Sequence, residues 1–405
     1  MGKKKNRGDG EGTIYQRKDG RWVAQVTVGI RHDGGPKRRT FYGDSRPEVV
    51  RKMNEVLVDL DKGTYIEPAT ITLEKWLTDW LEGRKPHIAE NTWNAYETII
   101  RIHINPELGK TKLKNLKTRD IQKLLNEKIT KGRVERKGVK MKDSKKYSQN
   151  QGLSARSVKY IYQTLNAALR QAVKERVIPF NPAEHCELPK QERKEMQVLS
   201  MDELATFFKT AQEESPYFKA FYLDVITGLR RGELLGLTWE CIDLKKGIIS
   251  VKQQVTVSKE KGPVLTGLKT AKSKREIWID EHAVEMLKFH KKSQDDKKEL
   301  IGIDYQDHGL VFATDDGKPI NPLTFTKHFS LVLKKAGLSG TRLHDLRHLH
   351  ATIALEGGAD LKTVSTNLGH ASISITADVY GHVTEKMRDN VAGKVGAAVA
   401  ACIKK

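Results

Sequence analysis

The apolar residues of this chain change their spacing along its length, and that change constrains the fold more than any single composition value. Between Arg21 and Ile30 they alternate: Trp22, Ala24, Val26, Val28 and Ile30 share one side, and Arg21, Val23, Gln25 and Thr27 the other. Alternation of this kind marks a half-buried strand. Thr13 to Arg17 reads as a strand before it, joined by a tight Lys18-Asp19-Gly20 turn. Lys37 to Tyr42 reads as a third, after the Asp33-Gly34-Gly35-Pro36 loop. Asp44 or Ser45 can cap a helix running to about Leu60. From Thr72 the spacing becomes helical, with Trp76, Leu77, Trp80 and Leu81 on one face, and further helices are predicted over residues 91–103, 118–129 and 154–177. Beyond Val198 the types mix. Helices are expected over 201–212 and 216–226, sheet over 247–257 and 274–279, then several short helices. Three spacings in one chain predict a multidomain α+β protein: a small three-stranded sheet plus helix (1–65), a helical domain (70–185) and a mixed α/β domain (190–405). Residues 61–70, with a Gly and a Pro, and residues 183–197, which follow Asn181-Pro182, read as linkers.

Charge narrows the class of partner. The 405 residues carry 72 Lys and Arg against 51 Asp and Glu, a formal net charge of +21, which suits a polyanion such as nucleic acid. The three cysteines, Cys186, Cys241 and Cys402, form no closely spaced pair, which argues against a disulfide framework or a structural zinc site. No run approaches the ~20 apolar residues that span a bilayer, and Met1-Gly-Lys-Lys-Lys leads into a polar stretch, so a cytoplasmic protein is expected. Residues 1–12 offer almost nothing to bury. One sheet face should pack on the first helix and leave the other, carrying Arg21, Gln25, Lys37, Arg38 and Arg39, free to enter a DNA groove; the plainer alternative is a solvated face. Residues 128–146 hold nine Lys and Arg against two Asp and Glu, and read either as a solvated loop or as one that contacts phosphates.

Three segments of the last region suit phosphate chemistry. In Thr227-Gly-Leu-Arg-Arg-Gly-Glu-Leu-Leu-Gly-Leu-Thr-Trp239, Gly228 ends one helix and Arg230 opens the next, adding a planar donor fork to free amides. In His344-Asp-Leu-Arg-His348, His344 and Arg347 at i, i+3 share a helical face, where one phosphate could touch both. Leu368-Gly-His370 is followed ten residues later by Tyr380. Taken singly each has a plain reading: Arg230 a surface residue, Tyr380 packing beside Ile373, Ile375 and Val379, His348 and His350 hydrogen-bonded interior histidines, and Glu233 a fold-holding carboxylate. Trp76, Trp80, Trp93 and Trp239 read as core.

Taken in order, Arg230, His344-x-x-Arg347, His370 and Tyr380 resemble the tyrosine recombinase (phage integrase) family. The resemblance covers about residues 198–385. The helical region before it is similar to that family's core-binding domain, and the N-terminal sheet and helix to the arm-binding module of integrases of conjugative transposons from Gram-positive bacteria. It implies a site-specific recombinase in which Tyr380 attacks a DNA phosphodiester, forms a 3′-phosphotyrosyl bond and frees a 5′-hydroxyl that later reverses the step. Bond energy kept in that ester fits the absence of a phosphate-binding GxxxxGK[ST] loop. A phenol titrating near pH ~10 needs help to lose its proton at neutral pH, and the resemblance points to His344 as base. Arg230 and Arg347 would neutralise the non-bridging oxygens, with His370 adding a hydrogen bond. The general acid would be Lys269, with Lys272 the second choice in the crowded Leu268-to-Arg275 turn.

The resemblance further implies double-stranded DNA with core and arm sites as partner and a homotetramer on two duplexes. It also suggests an excision factor and a host DNA-bending protein, and no metal or nucleotide cofactor. The small apolar tail, Val391 to Cys402, could pack on a neighbouring subunit or on its own domain. Three rival readings compete with this one. His344 and His348 at i, i+4 evoke a zinc hydrolase helix, but that motif needs Glu where this chain has Asp345, one methylene short. A non-catalytic DNA-binding regulator would not need Tyr380 and both arginines. A type IB topoisomerase shares the covalent chemistry, but the N-terminal module argues against it.

Overall fold

The computed structural model describes residues 12–30, 33–62, 65, 70–133, 152–191, 198–258, 260–268, 273–370, 372–374 and 376–377. The chain divides into two compact units, Met1–Glu192 and Arg193–Lys405.

The first unit holds two separate apolar cores. Strands β1 (Thr13–Gln16), β2 (Trp22–Ile30) and β3 (Pro36–Gly43) form an antiparallel sheet in that order, and α1 (Arg46–Asp61), with Pro47 in its first turn, packs on one face. Ala24 and Val26 meet Val49, Met53 and Val56 there, as alternation requires. The register corrects the expected face for two basic residues. Arg39 pairs with Val26 and so lies on the helix side, its guanidinium 5.1 Å from the Phe41 ring centre and 6.0 Å from that of Tyr65. Lys37, two residues away, shares that side. Arg38 pairs with Thr27 and Gln25 with Thr40 on the open face, and by alternation Arg21 joins them. A register shift between Thr27 and Gly29 breaks the alternation, which is why Ile30, expected in the core, is 77% exposed. Val23 faces away from α1 and is nonetheless buried, between its cross-strand partners Tyr15 and Tyr42.

The second core of this unit is helical. Thr72 caps α2 (Leu73–Arg84) and Ser154 caps α6 (Ala155–Lys174), each accepting a backbone hydrogen bond from three residues on. Between them lie α3 (Glu90–Ile99), α4 (Asn105–Leu108) and α5 (Thr118–Lys131). The helix expected over 91–103 relaxes into a wider π turn at Ile100–Ile104, ahead of Pro106. α6 buries Val158, Ile161, Leu165, Ala168, Leu169 and Ala172, a stripe at helical spacing against which Trp76 packs and donates from Nε1 to the Ala168 carbonyl at 3.0 Å. Lys128, counted above in the basic run, is instead buried and paired with Glu107 at 3.1 Å. Residues 134–146 of that run lie outside the described residues.

The second unit mixes helices with two small sheets. A capping box between Ser200 and Glu203 starts α7 (Met201–Glu214), followed by α8 (Phe218–Thr227) and α9 (Arg231–Leu235). The strand expected over 247–257 is two: β5 (Ile248–Val251) pairs with β4 (Ile242–Asp243) and β8 (Arg275–Trp278), whereas β6 (Gln253–Ser258) forms a hairpin with β7 (Gly262–Gly267). Then come α10 (Glu281–Ile301), α11 (Pro322–Lys335), α12 (Asp345–Glu356) and α13 (Leu361–Leu368). Phe207, Phe221, Phe325 and Phe329 centre the core. A smaller cluster of Ala351, Leu355, Val364 and Leu368 packs α12 on α13, which fixes the two elements bearing His344, Arg347 and His370.

Candidate active site

Helices α8 and α13 both end on a glycine in the left-handed region, Gly228 at φ 60° and Gly369 at φ 65°. A side chain at Gly228 would place its Cβ 2.7 Å from the His350 ring. The last carbonyls of a helix lack intrahelical donors and carry partial negative charge. Arg347 serves both ends: Nη1 donates to the Gly228 carbonyl at 2.6 Å and Nη2 to that of Leu368 at 2.5 Å. Arg230, entering α9, donates from Nη2 to the Gly369 carbonyl at 2.9 Å. The three sequence segments singled out above are thus brought together by guanidinium–carbonyl hydrogen bonds, and the structure places Arg230, His344, Arg347 and His370 in one cluster.

Beneath them lies a carboxylate. Glu233 accepts from the Arg230 backbone N–H at 3.0 Å, from Arg230 Nη1 at 2.7 Å and from Arg275 Nη2 at 2.8 Å. Burial works to raise its pKa, but the hydrogen bond and charge of Arg275, with the Arg230 contacts, outweigh it and hold it below the usual carboxylate value. Exposure separates the two arginines. The Arg230 side chain is 38% exposed and can meet a substrate, while those of Arg275 and Glu233 are 5% and 2% exposed. Arg347 is 3% exposed, a fixed positive charge in a low-dielectric setting. Asp224 is also buried, and its carboxyl is pushed well above the usual range by desolvation, against the pull of Arg347 and with repulsion from Glu233.

The imidazoles are held neutral. Burial, then the charge of Arg347, lowers His344. Its ring meets His348 edge-on at 5.1 Å between centres. Burial, then His344, brings His348 down to about 4; burial, then Arg347 and Arg230, does the same to His370. His370 Nδ1 lies 2.8 Å from Thr376 Oγ1. A neutral imidazole beside fixed guanidinium groups can take a proton or share a hydrogen bond at pH 7. His350 is engaged with the Val225 carbonyl at 3.0 Å. Asp345, the residue that separates this helix from the zinc hydrolase pattern, is buried and receives the backbone N–H of Arg342 at 2.7 Å and its side chain at 2.9 and 3.1 Å.

Tyr380, Lys269 and Lys272 lie outside the described residues. Arg21, Gln25, Lys37, Arg38 and Arg39 belong to the other compact unit. Sequence reasoning missed Arg275, which enters it only as the end of the crowded turn that carries Lys269 and Lys272. Trp239, expected in the core, is half-buried there and donates to Gln294 at 2.7 Å.

Comparison with known proteins gives the family and the fold. The Phage integrase family profile matches residues 197–387, and that of the phage integrase N-terminal SAM-like domain matches residues 72–129. A XerC-like tyrosine recombinase of Caldanaerobacter subterraneus subsp. tengcongensis is 32% identical, over 92% of this chain and 95% of its own. The ICEBs1 integrase of Bacillus subtilis is 25% identical, over 95% and 99%. The fold is shared with the Tn1549 transposon integrase, solved with transposon right end DNA (TM-score 0.65, 19% identity, 80% of this chain and 100% of that one). It is shared too with a lambda integrase dimer bound to a core site (TM-score 0.54, 22% identity, 92% and 96%). The chain belongs to the phage integrase family and is a tyrosine-type site-specific recombinase. Within that family it resembles the integrases of conjugative transposons.

Proposed function

We propose that this recombinase cuts and rejoins duplex DNA through Tyr380, integrating and excising a mobile element. The observation that carries the reading is the convergence of Arg230, Arg347, His344 and His370 on the glycine-capped ends of α8 and α13. Tyr380 attacks the scissile phosphorus. His344, held neutral, takes the phenolic proton, and the 5′-oxygen leaves with a proton from Lys269 or Lys272. Arg230, open to solvent, contacts a non-bridging oxygen. Arg347 adds close-range positive charge, and His370 donates a hydrogen bond as the pentacoordinate state forms. The freed 5′-hydroxyl of a partner strand reverses the step, so no bond energy is lost.

The gripping surfaces are assigned in three modules: the sheet and α1 (1–65) for arm sites, the helical region (70–185) and the last region (190–405) for core sites. On the sheet, the open face with Arg21, Gln25 and Arg38 is the DNA-facing side, with Lys37 and Arg39 on the other. Exchange of four strands calls for a homotetramer on two duplexes. The relatives' names support this order of assembly: a lambda integrase tetramer has been solved on a Holliday junction (TM-score 0.54). An excision factor, a DNA-bending host protein and a cytoplasmic setting complete the proposal. Among the described residues no helix is long and apolar enough to cross a membrane.

Incubation with a nicked duplex and denaturing electrophoresis tests the reading. Intact protein should give a covalent adduct that resists EDTA, and Tyr380→Phe none. An adduct that survives the substitution, or one that EDTA abolishes, overturns it.

A further inference from the structure

Arg275 is a buried cation with three hydrogen-bond partners in the second unit, and the reaction described above does not use it. Its Nη2 donates to Glu233 Oε2 at 2.8 Å, its Nε to the Asn367 carbonyl at 2.5 Å and its Nη1 to the Ser273 carbonyl at 3.1 Å. Gly369 lies flat against it: a Cβ there would come 3.2 Å from both Arg275 Cδ and Nη1. The glycine of the Leu368-Gly-His370 motif thus serves two needs, a left-handed backbone and close approach to this guanidinium.

We infer that Arg275 is a positioning residue for the recombination reaction, setting Arg230 through Glu233 and His370 through the end of α13. Its 5% exposure keeps it from the substrate. Glu233 has two carboxylate oxygens, one on the Arg230 side chain and the other on Arg275 and the Arg230 backbone, so a carboxylate free to turn would release the Arg230 fork. Arg275, together with the Arg230 backbone N–H, fixes that rotation. The same guanidinium ties β8 to the carbonyl three residues before His370, while Arg230 reaches the carbonyl directly before it. A planar fork can make both contacts at once; a lysine ammonium on a flexible stem cannot hold them in one plane.

The inference rests on the proposed roles of Arg230 and His370, and its test separates the two. Single-turnover cleavage is measured on two nicked duplexes, one with an ordinary scissile phosphodiester and one with a racemic methylphosphonate, which has no anionic oxygen for Arg230 to neutralise. Arg275→Gln should lower cleavage of the phosphodiester by about 100-fold, the scale of a lost transition-state donor, and lower that of the methylphosphonate about tenfold less. DNA affinity should stay within about threefold, since the side chain is only 5% exposed. Arg275→Lys should fall between, with the same dependence on substrate. If Arg275→Gln does not fold, as judged by its thermal unfolding, Glu233→Gln keeps the volume, loosens the same link and should show the same pattern. An equal loss on both substrates, or no loss, overturns the inference. If Arg230→Gln itself shows no difference between the substrates, the role given to Arg230 falls first and the inference with it.

Discussion

Arginines in the two compact units are held in opposite ways. On the sheet of the first unit, Arg38 stands opposite Thr27 on an open polar face. In the second unit Arg230, Arg275 and Arg347 hold one buried carboxylate and the carbonyls of Gly228, Ser273, Asn367, Leu368 and Gly369 among them. Charges of the first kind give salt-dependent grip, and each acts nearly alone. Charges of the second kind act through geometry, so their losses should be large and non-additive.

The largest expected effect tests the second half of that contrast. Arg347→Gln should reduce single-turnover cleavage by about 1,000-fold, and the Arg347→Gln/Arg230→Gln double variant should lose much less than the product of the two. Multiplicative losses would show that the two arginines act independently. Next comes pH. His344, His348 and His370 have folded pKa values below the ordinary 6.5, the last two near 4, so the unfolded chain binds more protons in that window. Stability of the second unit should therefore fall as pH drops from 6.5 towards 4, Asp224 acting in the opposite sense because its carboxyl is raised. Urea midpoints across that range check the sign; a midpoint that rises on acidification contradicts it. Cleavage should also keep its rate at pH 6.5, where an ordinary imidazole is half protonated, and decline only at lower pH, since burial and Arg347 lower His344 from that value.

Smaller effects sharpen the first half. Arg38→Ala should reduce the slope of log affinity against log salt on arm DNA by about 1, and Arg39→Ala, packed over Phe41, should leave the slope and lower the module's stability instead. Equal slopes for the two would reject the face assignment. Smallest is Trp76→Phe, which removes the bond to the Ala168 carbonyl and should cost the helical region about 1 kcal/mol in denaturant unfolding.

Elements governed by local rules were legible in the sequence. The three strands, the helix starts near Thr72, Ser154 and Met201, and the helix break at Gly228 lie within a few residues of their expected places. Pattern failed where one residue changes the count. The shift at Thr27 to Gly29 turned Ile30 outward, and the even spacing in β3 put Lys37 and Arg39 on the side opposite Arg38. The ordered motifs brought Arg230, His344, Arg347 and His370 into view because their types and order are unusual together. Glu233 and Arg275 were not legible as a pair, since 42 positions separate them and only the fold makes them one ion pair.

The central claim is that one phenolic oxygen becomes esterified to DNA. Trypsin cleavage after Lys362 and Lys386 yields a peptide whose single tyrosine is Tyr380. After reaction with a nicked duplex and nuclease trimming, fragmentation of that peptide should place a nucleotide mass on Tyr380. A nucleotide on any other residue, or on another peptide, would contradict the account.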